Sequence, residues 1–262
     1  EDADDLPAAL YEYRQVEDGR EMLVAITRGS MILINEGRLD ENHAWFTELR
    51  QQHPQRVEQL YSIEADLLSR EGEPAAATAV LDQALAQLPD SSALLYARAM
   101  LAEEQGDLVL MEDKLRAIIA REPDNSTAIN ALGYTLANRT ERYEEAHELI
   151  VRALALQPDE PAILDSMGWV LYRQGQYEDA LAYLTRAYAA FPDPEVAAHL
   201  GEVLWVTGDT DNALKVWQGG LLKDPDNAIL AETLKRLQVN ASQLGLPEGG
   251  LPTREPQEPE PW

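Results

Sequence analysis

PAILDSMGWVLYRQGQYEDALAYLTRAYAAFP, residues Pro161 to Pro192, encodes two helices and the reversal between them. Leu164, Gly168 and Leu171 lie four and three apart, as do Ala180, Leu184 and Ala187, so each trio shares one helical face. Gly168, Ala180 and Ala187 are small enough for the two helices to approach closely, while Leu164, Leu171 and Leu184 fill the space between them. Gly175 follows a polar residue midway, where a left-handed glycine lets one helix end and the chain turn back, and Pro192 stops the second.

The same unit recurs along the chain. Pro54, Pro89, Pro123, Pro158, Pro192 and Pro225 stand 35, 34, 35, 34 and 33 residues apart, and aspartate follows all but the first. Such a pair ends one helix and supplies a carboxylate near the cap of the next. Gly37, Gly72, Gly106, Gly175 and Gly208 fall near the middle of their units. The spacing predicts six helix pairs over residues 20–54, 57–89, 92–123, 126–158, 161–192 and 194–225. Residues 1–19 read as a remnant helix of a preceding repeat. Residues 226–243 read as a capping helix whose apolar stripe is Ile229, Leu230, Thr233, Leu234 and Leu237, and residues 244–262 as an acidic proline-rich tail ending on Trp262. Two departures bear on geometry. The fourth unit has Asn138-Arg139-Thr140 for its turn glycine and one extra residue, which predicts a bulged turn. The first has Asn42 and Leu49, and the third Met111 and Ile118, at positions held elsewhere by alanine, which predicts splayed helices.

The 262 residues carry 47 acidic and 21 basic side chains, a net charge of -26. No lysine or arginine patch is present to displace counterions from phosphates, so nucleic acid is not an expected partner. There is no cysteine, which removes disulfides, thiol nucleophiles and thiolate metal sites and leaves the redox compartment open. No apolar run approaches the ~20 residues needed to span a bilayer. The chain begins at Glu1 without methionine and reads as a processed product or a piece of something longer.

His43, His53, His147 and His199 are scattered, and no nucleophile elbow, phosphate-binding loop or dinucleotide fingerprint appears. No catalytic residue, metal or cofactor is expected. In Leu164, Gly168, Leu171, Gly175, Tyr177, Ala180, Leu184, Ala187 and Pro192 the fifth unit resembles the tetratricopeptide repeat at its small, large and proline positions. The resemblance implies an all-α fold, a right-handed solenoid of antiparallel helix pairs, and a concave groove lined by the first helix of each pair. On that frame Tyr96, Met100, Asn130, Tyr134, Asn138, Asp165, Trp169, Tyr172, Arg173, His199, Glu202 and Trp205 point inward as an aromatic and polar protein-binding groove. Tyrosine and tryptophan suit binding because they offer large area with few rotors to freeze. Members that clamp acidic chaperone tails use lysine where this chain has Tyr96, Asn130, Asp165 and Ala198, so neutral or basic protein ligands are expected instead.

NALGYTLANR (Asn130 to Arg139), ILDSMGWVLYRQG (Ile163 to Gly175) and AAHLGEVLW (Ala197 to Trp205) further resemble the C-terminal repeats of the lipid-anchored periplasmic adaptors of pseudomonads that bind a carboxyl-terminal processing protease. That resemblance implies a non-enzymatic adaptor bringing cell-wall hydrolases to the protease, held at the outer membrane only through a lipid anchor upstream of Glu1. The alternatives are another bacterial envelope-assembly scaffold, or the substrate-reading repeats of a larger enzyme, against which the acidic proline-rich end argues.

Overall fold

The structure, a computed structural model, describes residues 6–16 and 20–246. Its chain divides into two compact units, Glu1–Pro123 and Asp124–Trp262. Among the described residues every regular element is helical, as the repeat pattern requires. Residues 247–262, and with them most of the expected tail and Trp262, lie outside the described residues.

The first unit contains α1 (Leu6–Arg14), α2 (Arg20–Asn35), α3 (Leu39–Gln52), α4 (Val57–Arg70), α5 (Pro74–Gln87), α6 (Ser92–Glu104) and α7 (Leu108–Arg121), with a short turn of 3-10 helix at Pro54–Arg56. α1 packs on α2 and buries Leu10. Met22, Ile26, Leu33, Phe46, Leu60, Leu81 and Leu94 form the core between successive pairs. α2 and α3 meet over a smaller surface than the other pairs, as Asn42 and Leu49 predict; α6 and α7 stay as close as α4 and α5, because Met111 and Ile118 are fully accommodated in the interior.

Asn42 is tolerated where alanine is usual because Ser30 on α2 donates a hydrogen bond of 2.7 Å to its Oδ1 with both side chains fully buried. Ser30→Ala strands that carboxamide and is expected to cost about 1–3 kcal/mol, whereas Ser30→Ala combined with Asn42→Ala should be near neutral because both polar partners then leave together. Urea denaturation midpoints of the single and double variants check this.

The second unit contains α8 (Ser126–Arg139), α9 (Tyr143–Leu156), α10 (Pro161–Arg173), α11 (Tyr177–Ala190), α12 (Pro194–Val206), α13 (Thr210–Lys223) and α14 (Ala228–Arg236). The reversal after α10 has both bonds of a Schellman cap, Gln176 N–H to Leu171 O at 2.9 Å and Gly175 N–H to Tyr172 O at 2.9 Å, with Gly175 at φ +79°. The predicted bulge after α8 is absent. The extra residue lengthens α8 to 14 residues against 13 in α10, and the Thr140 hydroxyl bonds back to Leu136 O in place of a glycine turn. Glycine is needed where helices touch. A Cβ on Gly168 would lie 2.5 Å from Leu184 Cγ, and one on Gly201 2.5 Å from Trp217 Cε2.

The capping helix ends at Arg236, short of the expected 243. Gln238 takes φ +56°, and Val239 N–H bonds to Leu234 O at 3.0 Å, closing a Schellman cap without glycine, with Val239 and Leu234 in one apolar cluster. Leu244 and Leu246, placed in the tail by sequence, belong to that cluster too, and Gln218 Nε2 holds Leu244 O at 2.8 Å. Of the expected stripe, Leu230, Thr233 and Leu234 are buried and Leu237 partly so, while Ile229 remains exposed.

Candidate functional site

Ten of the twelve inner-face residues lie in the second unit, and eight of them make contacts among themselves. On α10, Asp165 and Trp169 are one turn apart and share a face. On α12, Glu195, His199 and Glu202 do the same. His199 Nδ1 sits 2.9 and 3.0 Å from the two carboxylate oxygens of Asp165, Trp169 stacks on the imidazole at 4.2 Å between ring centroids, and Tyr134 from α8 places its hydroxyl 3.4 Å from His199 Nε2. The Tyr134 hydroxyl donates to Glu195 Oε1 at 2.8 Å.

A second chain of bonds adjoins the first. Trp169 and Tyr172 have ring centroids 5.1 Å apart, Tyr172 donates to Glu202 Oε1 at 2.9 Å, and Arg236 on α14 pairs with Glu202 Oε2 at 2.5 Å. Arg173 donates to Tyr143 Oη at 2.7 Å and to Asn138 O at 3.3 Å. Trp205 packs on Trp217 at 5.5 Å.

Electrostatics follow from burial and these partners. Burial pushes the Glu195 carboxyl above its ordinary range, opposed by His199 and by the Tyr134 hydroxyl. Burial alone would lower His199, but the charge and hydrogen bond of Asp165, with Glu195 and Glu202, hold it above the usual histidine value. Tyr172 is raised by burial and by Glu202 beside it. In the first unit burial likewise raises Tyr96. Among the described residues no group of three or more histidine, aspartate or glutamate side chains forms a candidate metal site.

The twelve therefore divide by access. Asp165, Trp169, His199 and Glu202 are buried, so they shape the inner face from beneath. Asn130, Tyr134, Asn138, Tyr172, Arg173 and Trp205 are half-buried, and so are Tyr96 and Met100 in the first unit. Among these twelve residues two buried polar atoms have no hydrogen-bond partner, Trp169 Nε1 and Asn130 Oδ1; in the first unit Asn42 Nδ2 and Arg98 Nη1 are alike in this.

A family model for the tetratricopeptide repeat matches residues 64–110 and 166–228. With antiparallel pairs repeating at about 34 residues in both units, this decides the family. The chain is a tetratricopeptide-repeat protein. It is 50% identical over 202 residues to a TPR repeat-containing protein of Pseudomonas aeruginosa, an alignment covering 77% of this chain and 34% of that one, so the chain spans about a third of its relative's length. Similar folds include a thermophilic TPR protein of Thermus thermophilus (TM-score 0.61, 23% identity, 70% of this chain and 100% of that one). Another is the type IV pilus biogenesis factor PilW (TM-score 0.59, 24% identity, 72% and 90%).

Within the tetratricopeptide frame, sequence reasoning missed several members of the inner face. Glu195 stands four residues before His199 and so shares its face, a signal present in the sequence. Val24 and Met31, seven apart on the first helix of the first pair, are exposed apolar residues of the same kind. Arg236, which lies off the apolar stripe of the cap, reaches Glu202.

Proposed function

We propose that this tetratricopeptide-repeat protein is a non-enzymatic adaptor that binds a periplasmic carboxyl-terminal processing protease and brings cell-wall hydrolases to it. The observation that carries the reading is the likeness of Asn130–Arg139, Ile163–Gly175 and Ala197–Trp205 to such adaptors. Those runs lie in α8, in α10 with the turn that follows it, and in α12, the helices that supply ten of the twelve inner-face residues. The 50% identity to a Pseudomonas aeruginosa repeat protein supports it. On this reading the chain works at the outer membrane through a lipid anchor outside these residues.

The scaffold suits protein contact. Half-buried aromatic and amide side chains such as Tyr134, Asn138, Tyr172 and Trp205 offer area without much rotamer entropy to lose. Holding protease and substrate on one scaffold raises their effective concentration and needs no catalytic group on the scaffold. In a reconstituted digest, adding this chain should speed cleavage of a cell-wall hydrolase by the processing protease at least about tenfold at submicromolar enzyme, with a maximum beyond which excess scaffold separates the two. A cleavage rate indifferent to the folded chain would remove the adaptor reading and leave a scaffold for other envelope proteins.

A further inference from the structure

Of the four histidines only His199 is buried. It lies where α8, α10 and α12 meet, and the hydrogen bonds around it dictate its protons. With Glu195 ionised, the Tyr134 hydroxyl gives its single proton to that carboxylate, so toward His199 Nε2 it accepts. The Asp165 carboxylate, on the other side, also accepts, from Nδ1. Both ring nitrogens must donate, which only the imidazolium does. Trp169, stacked on the ring at 4.2 Å, favours the same cationic form.

We propose that His199 is a proton-operated clasp: as imidazolium it ties the first helices of three successive repeats together, and on giving its Nε2 proton to water it lets α12 loosen from α8 and α10. The groups facing it are Asp165 from α10, Tyr134 from α8, and Glu195 and Glu202 from α12 itself; Asp193, at the α12 cap, acts on Glu195. Glu202 is shared with Tyr172 of α10 and Arg236 of α14. α13 presents Trp217 to α12, and α11 presents Ala187 beside Val196.

When the ring is neutral, Nε2 and Glu195 compete for the one Tyr134 proton, and Asp165 and Glu195 lose the cation between them. His199 is held above its ordinary value, so its contribution to stability is complete below about pH 6.5 and is lost as pH rises through the elevated value. Glu195, also raised, acts in the same direction at lower pH. The second unit therefore loosens toward alkaline pH.

Histidine ring signals of the whole chain, followed by NMR from about pH 5 to about pH 9, test the clasp alongside amide exchange. The His199 ring is expected to titrate above the ordinary histidine value. Amides of α12, corrected for intrinsic exchange, should lose about tenfold protection through that transition. Tyr134→Phe, which removes the acceptor for Nε2–H, should move the His199 titration down toward the ordinary histidine value, and His199→Gln should abolish the protection step. A His199 that titrates at or below the ordinary histidine value, protection constant across its transition, or a titration unmoved in Tyr134→Phe would each overturn the proposal.

Discussion

Glu64→Gln is expected to destabilise the first unit by about 3–5 kcal/mol, because it leaves the charge of a buried arginine without its partner. Glu64, on α4, is fully buried, with Arg50 Nη1 at 2.5 Å from one carboxylate oxygen and His43 Nδ1 at 2.8 Å from the other. Arg50 is itself only 7% exposed and lies over the Tyr61 ring at 4.0 Å. Glutamine keeps the shape and removes the charge, so the loss reads the electrostatics. Replacing Arg50 and Glu64 together by apolar residues of similar volume should recover most of it, since the cost is that of an uncompensated buried ion. The exposed pair Arg70–Asp66 on the same helix, at 3.0 Å, is the contrast: its removal should change stability by no more than about 0.5 kcal/mol. Guanidinium denaturation, which screens exposed pairs, compared with urea, which does not, separates the two.

Gly201→Ala should cost the second unit about 3 kcal/mol, although alanine is the better helix former by about 1 kcal/mol. The added methyl would stand 2.5 Å from Trp217 Cε2 and 2.6 Å from Cδ1, closer still to Nε1, and Trp217 is fully buried with nowhere to retreat. For a unit of this size the shift in thermal midpoint is on the order of 10 °C. In a Trp217→Phe background the indole nitrogen edge is gone, so the same substitution should cost less. That non-additivity is what assigns the effect to this contact rather than to the helix.

Much of the fold was legible because its signals are local. Prolines at a fixed spacing, turn glycines and small residues at Gly168 and Ala180 report events within a few residues of themselves. The end of the cap was missed because Gln238 adopts a left-handed backbone that favours glycine, drawn there by burial of Val239 and Leu244 that no periodicity announces. The inner face was legible as a set of residues and not as a network. Helical spacing says that Asp165 and Trp169 share a face, but that His199, 34 residues on, closes against both depends on how α10 and α12 stack. Charged residues before a small one, Glu64 before Ala65 and Arg98 before Ala99, stand where Leu132 and Leu200 precede Gly133 and Gly201. That mismatch was visible, and it marks the buried ions of the first unit.

The inner face joins these features to function. α8, α10 and α12 are held in register by buried polar bonds beneath a half-buried surface of Asn138, Tyr172, Arg173 and Trp205, so the residues offered to a partner rest on a rigid base. Rigid presentation lowers the ordering cost of binding. Calorimetric titration of this folded chain with a purified carboxyl-terminal processing protease tests that claim most directly. Saturable binding with Kd of about 10 μM or tighter, weakened at least about tenfold by Arg173→Ala or Trp205→Ala without loss of helicity, is the predicted result. No saturable heat from the folded chain at about 100 μM, or binding indifferent to both substitutions, would contradict it.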